Sequence, residues 1–98
     1  MNLAELMIEI RNSPGKFLQD DCIFQLRALI RGFIFAKDSS AKIVGNDRKL
    51  LDAIDLKIKN EYGIDPSERI AIEEILYDYE GDNAFVKYLE LWFKYAQH

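Results

Sequence analysis

Apolar residues recur at intervals of three and four positions along almost the whole chain. Such spacing places the apolar side chains on one face of an α-helix. The first example is Leu3, Leu6, Met7 and Ile10, which predict a helix over residues 2–11. No segment long enough for a strand alternates strictly between apolar and polar residues. The pattern therefore predicts an all-α fold.

Turn-forming residues separate the first two predicted helices. The proline and glycine at positions 14 and 15 end the first helix, because proline disfavours helical geometry before it and glycine permits a turn. After them, Phe17 and Leu18 are expected to pack back onto the core. Asp20 or Asp21 can cap a second helix that runs to about Lys37. The predicted buried stripe of this helix consists of Ile23, Leu26, Leu29, Ile30 and Phe33.

The second half of the chain predicts three more helices. Residues 38–46 form a predicted loop, and Asp47 can cap a third helix that is stopped by Gly63. Pro66 opens a predicted fourth helix, because the missing amide of proline costs nothing in the first turn. A fifth helix follows Gly81. Its candidate caps are Asp82 and Asn83.

Length and composition predict one domain. A chain of 98 residues is close to the usual size of a single domain, and 49% of its residues are apolar. This supply of apolar side chains is sufficient for a packed interior without a metal or a disulfide. We therefore expect residues 1–98 to form a single compact, irregular bundle of about five helices.

The cysteine content and the hydropathy of the chain indicate the cellular compartment in which the protein is expected. Cys22 has no second cysteine with which to form an internal disulfide, and this usage is typical of a reducing cytosol. Its apolar neighbours Ile23 and Phe24 predict a buried or half-buried, unreactive thiol. No secretory signal pattern opens the chain, and no run approaches the roughly 20 apolar residues of a membrane-spanning helix. We expect a soluble, cytoplasmic protein that does not bind membranes.

Few side chains offer catalytic chemistry. His98 is the only histidine and is the last residue, so a serine or cysteine nucleophile has no suitable base. The five glycines are scattered singly and form no phosphate-binding loop. The pairs Glu74 with Asp78 and Asp52 with Asp55 could hold a divalent cation. Metal sites in helical bundles usually add histidine and further helices, which favours a solvated acidic face instead. The sequence predicts no enzyme activity, no cofactor and no metal.

Acidic residues are concentrated in one segment. Between Asp65 and Asp82 there are seven carboxylates and a single base, Arg69, whereas residues 1–49 carry eight bases interleaved with six acids. The formal net charge is -4. A surface of one sign repels polyanions and attracts cationic proteins, and nucleic-acid readers are basic overall. The sequence thus argues against nucleic-acid binding and favours a basic protein partner.

A helical wheel of the predicted fourth helix separates an apolar stripe from an acidic face. The stripe contains Ile72, Ile75, Leu76 and Tyr79. The other face carries Ile70 and Tyr77 among carboxylates, a composition typical of an interface with an aromatic anchor. Alternatively, these two side chains pack beneath the preceding loop or against the third helix, and the sequence leaves both possibilities open. The carboxylates of this face are Glu73, Glu74, Asp78 and Glu80.

Two segments resemble a known group of proteins. The chain reads Ile-Arg-Asn-Ser-Pro-Gly-Lys-Phe-Leu from Ile10, and Cys-Ile-Phe-Gln-Leu-Arg-Ala-Leu-Ile-Arg-Gly-Phe-Ile-Phe-Ala from Cys22. This opening is similar to that of small α-helical immunity proteins of bacterial contact-dependent growth inhibition and other polymorphic toxin systems. The similarity covers about half the chain, mainly core and turn positions. The weaker matches in the last helix are Ala84, Phe85, Tyr88 and Leu89, and the departures are Ser13, Lys16 and Gln19.

The resemblance implies a toxin inhibitor. Members of this group protect their own cell by binding one cognate toxin, and many such toxins are basic nucleases. An acidic helical surface covering the cationic active site of a ribonuclease, in a 1:1 complex, is the resulting hypothesis. A general helical adaptor or oligomerisation module, and a small carboxylate metalloenzyme, are the alternatives. The expected contact residues are Glu73, Glu74, Tyr77, Asp78, Glu80 and Asp82.

Overall fold

The computed structural model describes residues 1–40 and 45–96, with the side chains of residues 38–40 excluded. These residues form five α-helices and two short 3-10 turns, which confirms the all-α prediction for the part of the chain described. The helices are α1 (Leu3–Asn12), α2 (Ile23–Ser40), α3 (Asn46–Glu61), α4 (Ile72–Glu80) and α5 (Ala84–Ala96), and the turns are Pro14–Lys16 and Gly81–Asn83.

A capping box fixes the start of α1. The Asn2 side chain accepts a hydrogen bond of 2.8 Å from the Glu5 amide, and the Glu5 carboxylate accepts one of 3.0 Å from the Asn2 amide. Two amides that the helix itself cannot satisfy are thereby paired. The helix lies one residue later than predicted.

The connection from α1 to α2 begins with the Pro14–Lys16 turn. Leu18 is buried beneath it, as predicted, whereas Phe17 is 36% exposed. The helix α2 extends three residues beyond Lys37. The predicted loop over residues 38–46 is therefore too long at both ends, and its residues 41–44 lie outside the part of the chain described.

The helix α3 begins without the predicted cap. Gly45 occupies the N-cap position, and Asp47 lies inside the first turn. The Asp47 carboxylate instead accepts a hydrogen bond of 2.8 Å from the Lys37 ammonium on α2. At the other end, Gly63 has φ +68°, which confirms the predicted left-handed stop.

The prediction that α4 opens at Pro66 is wrong, because the helix begins only at Ile72. The Asp65 carboxylate accepts hydrogen bonds from both the amide and the hydroxyl of Ser67, at 2.8 and 2.7 Å. Such local bonds offer the backbone an alternative to a helix. The turn is also tied to α3, because the Lys59 ammonium donates to the Glu68 carbonyl at 2.9 Å.

The core draws on all five helices, and α5 packs against α2, α3 and α4. The radius of gyration of the described Cα atoms is 13.2 Å, close to the roughly 13 Å expected for a compact chain of about 100 residues. The largest fully buried side chains are Leu3, Met7, Ile10, Leu26, Ile30, Ile34, Ile54, Ile58, Leu76, Tyr88 and Trp92.

Candidate functional site

The helix α4 divides its carboxylates between the interior and the surface. Ile72, Ile75 and Leu76 are buried as predicted. Glu73 is only 6% exposed and Tyr79 is 62% exposed, so the wheel assigned both to the wrong side. The burial of Glu73 is explained by arginines on α2, which pair with its carboxylate in the interior.

Arg27 is the centre of a buried ionic cluster. Its side chain is 5% exposed and donates to both Asp55 oxygens of α3, with each bond 3.0 Å long. It also donates to the Tyr88 hydroxyl of α5 at 3.1 Å and lies 3.4 Å from the Glu73 carboxylate of α4. One guanidinium on α2 thus joins four helices. We call Arg27, Arg31, Asp55, Glu73 and Tyr88 the buried cluster.

Arg31 completes the charge balance of the buried cluster. Its guanidinium lies 2.6 and 2.8 Å from the two oxygens of Glu73, and its side chain is half exposed. Burial opposes ionisation of Glu73, but the amide of that residue and the two arginines outweigh burial and lower its pKa. At Asp55 burial is the larger influence and raises the pKa, although Arg27 opposes it. Two arginines face two carboxylates, which is an arrangement that holds helices together.

The outward face of α4 carries exposed acids around an aromatic pair. Tyr77 is 51% exposed, and its ring lies against that of Phe24 on α2, with centroids 5.5 Å apart and planes inclined by 59°. Glu74 and Asp78 are exposed and share this face with Tyr77 through helical spacing. Ile70, by contrast, is half-buried against the core. The two alternatives for these residues are therefore resolved differently: Tyr77 is at the surface, and Ile70 is packed.

Asp82 extends this face to the start of α5. With Phe24 and Tyr77 it lines a cleft of about 160 Å³, which Asp21 and the half-buried Cys22 border from the start of α2. The degree of burial predicted for Cys22 is confirmed. We call the whole patch the acidic aromatic surface; it consists of Asp21, Phe24, Glu74, Tyr77, Asp78 and Asp82.

Glu80 belongs to a different environment. It is half-buried, and its carboxylate accepts a hydrogen bond of 3.1 Å from the Tyr62 hydroxyl near the end of α3. Burial, together with the Glu80 carboxylate, raises the pKa of Tyr62. The exposed ring of Tyr79 stacks beside Tyr62, with centroids 5.1 Å apart. Of the six predicted contact residues, the structure brings together Glu74, Tyr77, Asp78 and Asp82, and separates Glu73 and Glu80 from them.

The sequence did not predict that Phe24 and Asp21 belong to the acidic aromatic surface, or that Arg27 is buried. One signal was present, because Arg27 falls within the apolar stripe of α2 between Ile23 and Ile30. An arginine at such a position is compatible with burial only if carboxylates meet it. The position of Phe24 beside Tyr77 depends on how α2 packs against α4, which no local pattern specifies.

Metal binding and membrane insertion find no structural support in the residues described. Among them, no group of three or more histidine, cysteine, aspartate or glutamate side chains is placed to hold a metal ion. Asp55, a member of one candidate carboxylate pair, is engaged by Arg27. None of the described helices combines the length and hydropathy needed to cross a bilayer.

Comparisons with protein-family models, with curated proteins and with solved structures find no match to this chain. The functional proposal therefore starts from the acidic aromatic surface. The buried cluster, whose charges are internally paired, is assigned to the fold.

Proposed function

We propose that this chain is an immunity protein that binds and neutralises a cognate bacterial toxin, and that the toxin is a ribonuclease. The observation that carries the proposal is the acidic aromatic surface, where an exposed pair of rings lies among carboxylates. Aromatic side chains at the centre of a patch supply binding energy when they are desolvated, and charged residues around them set specificity and association rate.

The surface suits a cationic partner. Glu74, Asp78 and Asp82 carry negative charge at solvent-exposed positions, in a chain whose net charge is already -4. A ribonuclease binds phosphates through cationic side chains. Carboxylates held on a rigid helix can occupy the same cationic cleft and exclude the RNA.

Co-purification and a nuclease assay test this proposal together. The tagged chain is expressed with the product of the gene immediately upstream, and the ribonuclease activity of that product is measured with and without the chain. We expect a 1:1 complex and loss of activity when the chain is added in equal amounts. An upstream product that neither binds the chain nor degrades RNA would refute the proposal for that pair.

A charge-reversal variant locates the interface. Replacing Glu74 and Asp78 together by lysine places like charges against the cationic partner, so we expect affinity to fall at least 100-fold, or about 3 kcal/mol. Helical content measured by circular dichroism should be unchanged, because both residues are exposed.

The matched control is the double variant Glu9→Lys and Glu68→Lys. It makes the same change in net charge at exposed positions outside the acidic aromatic surface. Equal losses of affinity in the two double variants would indicate that net charge, rather than this surface, governs binding.

An adaptor or oligomerisation module is the second candidate, favoured by exposed apolar side chains elsewhere. Phe35 is 72% exposed and Val86 is 55% exposed, and both are available to an apolar partner. A tight homo-oligomer in light scattering, together with no affinity for the neighbouring toxin, would support this alternative.

A further inference from the structure

The cleft beside the Phe24 and Tyr77 rings lies where the C-terminus of α4 meets the starts of α2 and α5. It is lined at its mouth by Asp21, Phe24, Tyr77, Gly81 and Asp82, and on its floor by buried side chains that include Phe85. Within the described part of the chain, no basic residue lines it, and the two charged residues that do, Asp21 and Asp82, are both acidic.

The C-terminal end of α4 adds negative electrostatic potential at the cleft. The carbonyl groups at a helix C-terminus carry partial negative charge, which basic residues in the last turn usually offset. The last turn of α4 has no basic residue and instead contains Asp78 and Glu80. Gly81, which follows this turn, lines the cleft. The helix end, Asp21 and Asp82 therefore favour a cation from outside the chain.

The aromatic rings limit which cation fits best. Phe24 and Tyr77 are 42% and 51% exposed, so part of each aromatic side chain is accessible to a group that enters the cleft. A guanidinium is planar and weakly hydrated, stacks on aromatic faces and donates to carboxylates through a fork of N–H groups. An ammonium is compact and more strongly hydrated, and it offers no plane for stacking.

The size of the cleft suits a single side chain. Its volume is about 160 Å³. That space admits the end of a long side chain but not a helix.

We propose that this cleft receives a single arginine side chain of the partner protein. In the complex the guanidinium packs against the Phe24–Tyr77 pair and donates hydrogen bonds to Asp21 and Asp82, near the C-terminus of α4. The identity of the partner as a toxin rests on the function proposed above; the preference for a guanidinium rests on the cleft itself.

The proposal is tested on the full chain with Nα-acetyl-arginine amide as the probe, followed by ¹H–¹⁵N NMR. We expect saturable shifts that are confined to residues around Asp21, Phe24, Tyr77 and Asp82. The lysine analogue should bind at least five-fold more weakly, because it lacks the stacking plane.

Variants separate the cleft from general charge attraction. Asp82→Asn and Phe24→Leu should each weaken binding of the arginine probe at least five-fold, and both substitutions are at exposed positions that leave the core intact. The control is Glu68→Gln, which removes the same charge as Asp82→Asn but precedes the opposite end of α4. Its affinity for the probe should match that of the wild type.

Three results would overturn the inference: no saturable shifts, equal binding of the arginine and lysine probes, or equal weakening by Glu68→Gln and Asp82→Asn. Because the probe is a small molecule, these results do not depend on any toxin. A saturable arginine site in a chain that fails to inhibit the upstream product would retain the cleft and refute only the immunity proposal.

Discussion

Arg27 is the residue on which the interior depends most directly. Its guanidinium joins Asp55, Glu73 and Tyr88, which lie on three other helices. Replacing Arg27 by methionine keeps much of the side-chain volume but leaves the Asp55 carboxylate without its arginine, whereas Glu73 keeps its ion pair with Arg31. Breaking a buried pair in this way costs about 3–5 kcal/mol. We expect Arg27→Met to lower the free energy of unfolding by that amount, measured by urea denaturation.

Arg69→Met is the comparison for Arg27→Met, because it removes the same charge from an exposed residue. Its unfolding free energy should stay within about 0.5 kcal/mol of the wild type. Arg27→Lys should also destabilise the protein, because an ammonium cannot reproduce the two parallel bonds to Asp55. A fully stable Arg27→Met variant would show that the buried cluster is dispensable.

Tyr88 leads to a prediction for alkaline solution. Burial raises the pKa of its hydroxyl from 10.0 to about 12. Between these values the unfolded chain ionises the phenol and the folded chain does not, so the free energy of unfolding falls as the pH rises. Well below pH 10 the phenol is protonated in both states, and its contribution is fully present.

The measurement is urea denaturation of the wild type and of Tyr88→Phe from about pH 9 to about pH 11. The wild type should lose more stability over this interval than the variant, which has no phenol to ionise at that position. Parallel losses in the two proteins would contradict the role assigned to Tyr88.

At the scale of single residues, the sequence predicted two exposed acids but not the interior charges. The exposure of Glu74 and Asp78 follows from helical spacing alone, and the structure confirms it. The sequence left the position of Tyr77 open, and the structure places it at the surface. Glu73 is one position away from Glu74, yet it is buried because Arg27 and Arg31 approach it from α2. That approach is a tertiary contact between residues more than forty positions apart, and the helical repeat within α4 cannot predict it.

At the scale of elements, α4 places acids at both of its ends. Glu74 lies in its first turn, where negative charge is favourable, and Asp78 lies in its last turn, where it is unfavourable. We expect Asp78→Lys to raise the free energy of unfolding by about 0.3–1 kcal/mol and Glu74→Lys to lower it by a similar amount. Urea denaturation at low salt measures both.

The two lysine variants serve as controls for each other, because each makes the same change in net charge. The functional proposal adds that both weaken partner binding, so Asp78→Lys should become more stable and less active at once. Shifts of stability in the same direction would show that net charge outweighs the dipole of α4.

The limits of α4 illustrate what could be predicted for an element. The sequence predicts that α4 ends just before Gly81, and the structure shows this glycine with φ +58°. The first residue of α4 does not follow from Pro66, although proline is common at helix starts. The bonds of Asp65 to Ser67 and of Lys59 to Glu68 hold the intervening turn outside the helix. The second of these links is again tertiary.

At the scale of the whole molecule, folding pairs some of the bases and acids in the interior and leaves others exposed at the surface. Arg27 and Arg31 from the basic half of the chain neutralise Asp55 and Glu73 inside. The outward acids of α4 keep their charge at the surface. The asymmetry visible in the sequence therefore becomes, on this face, an exposed negative patch.

This patch predicts salt-dependent association with the proposed partner. Raising the ionic strength from about 0.01 to about 0.15 M shortens the Debye length from about 30 to about 8 Å and screens the attraction. The association rate constant should fall at least several-fold, whereas the dissociation rate constant should change less. Stopped-flow measurement of the wild type and of the Glu74→Lys, Asp78→Lys double variant tests this. The association rate of the double variant should not fall in this way with salt, and a decrease equal to that of the wild type would contradict the prediction.

Glu73 and Glu74 are consecutive, yet one faces the arginines inside and the other faces water. Mutations at the outward positions of α4 therefore leave the bonds between the helices untouched, so these positions can change without loss of the fold. Mutations at Arg27 or Glu73 have no such freedom, since a change in one must be matched by a change in the other. Among descendants of this chain, we expect the inner pair to be inherited together while the neighbouring outward positions diverge.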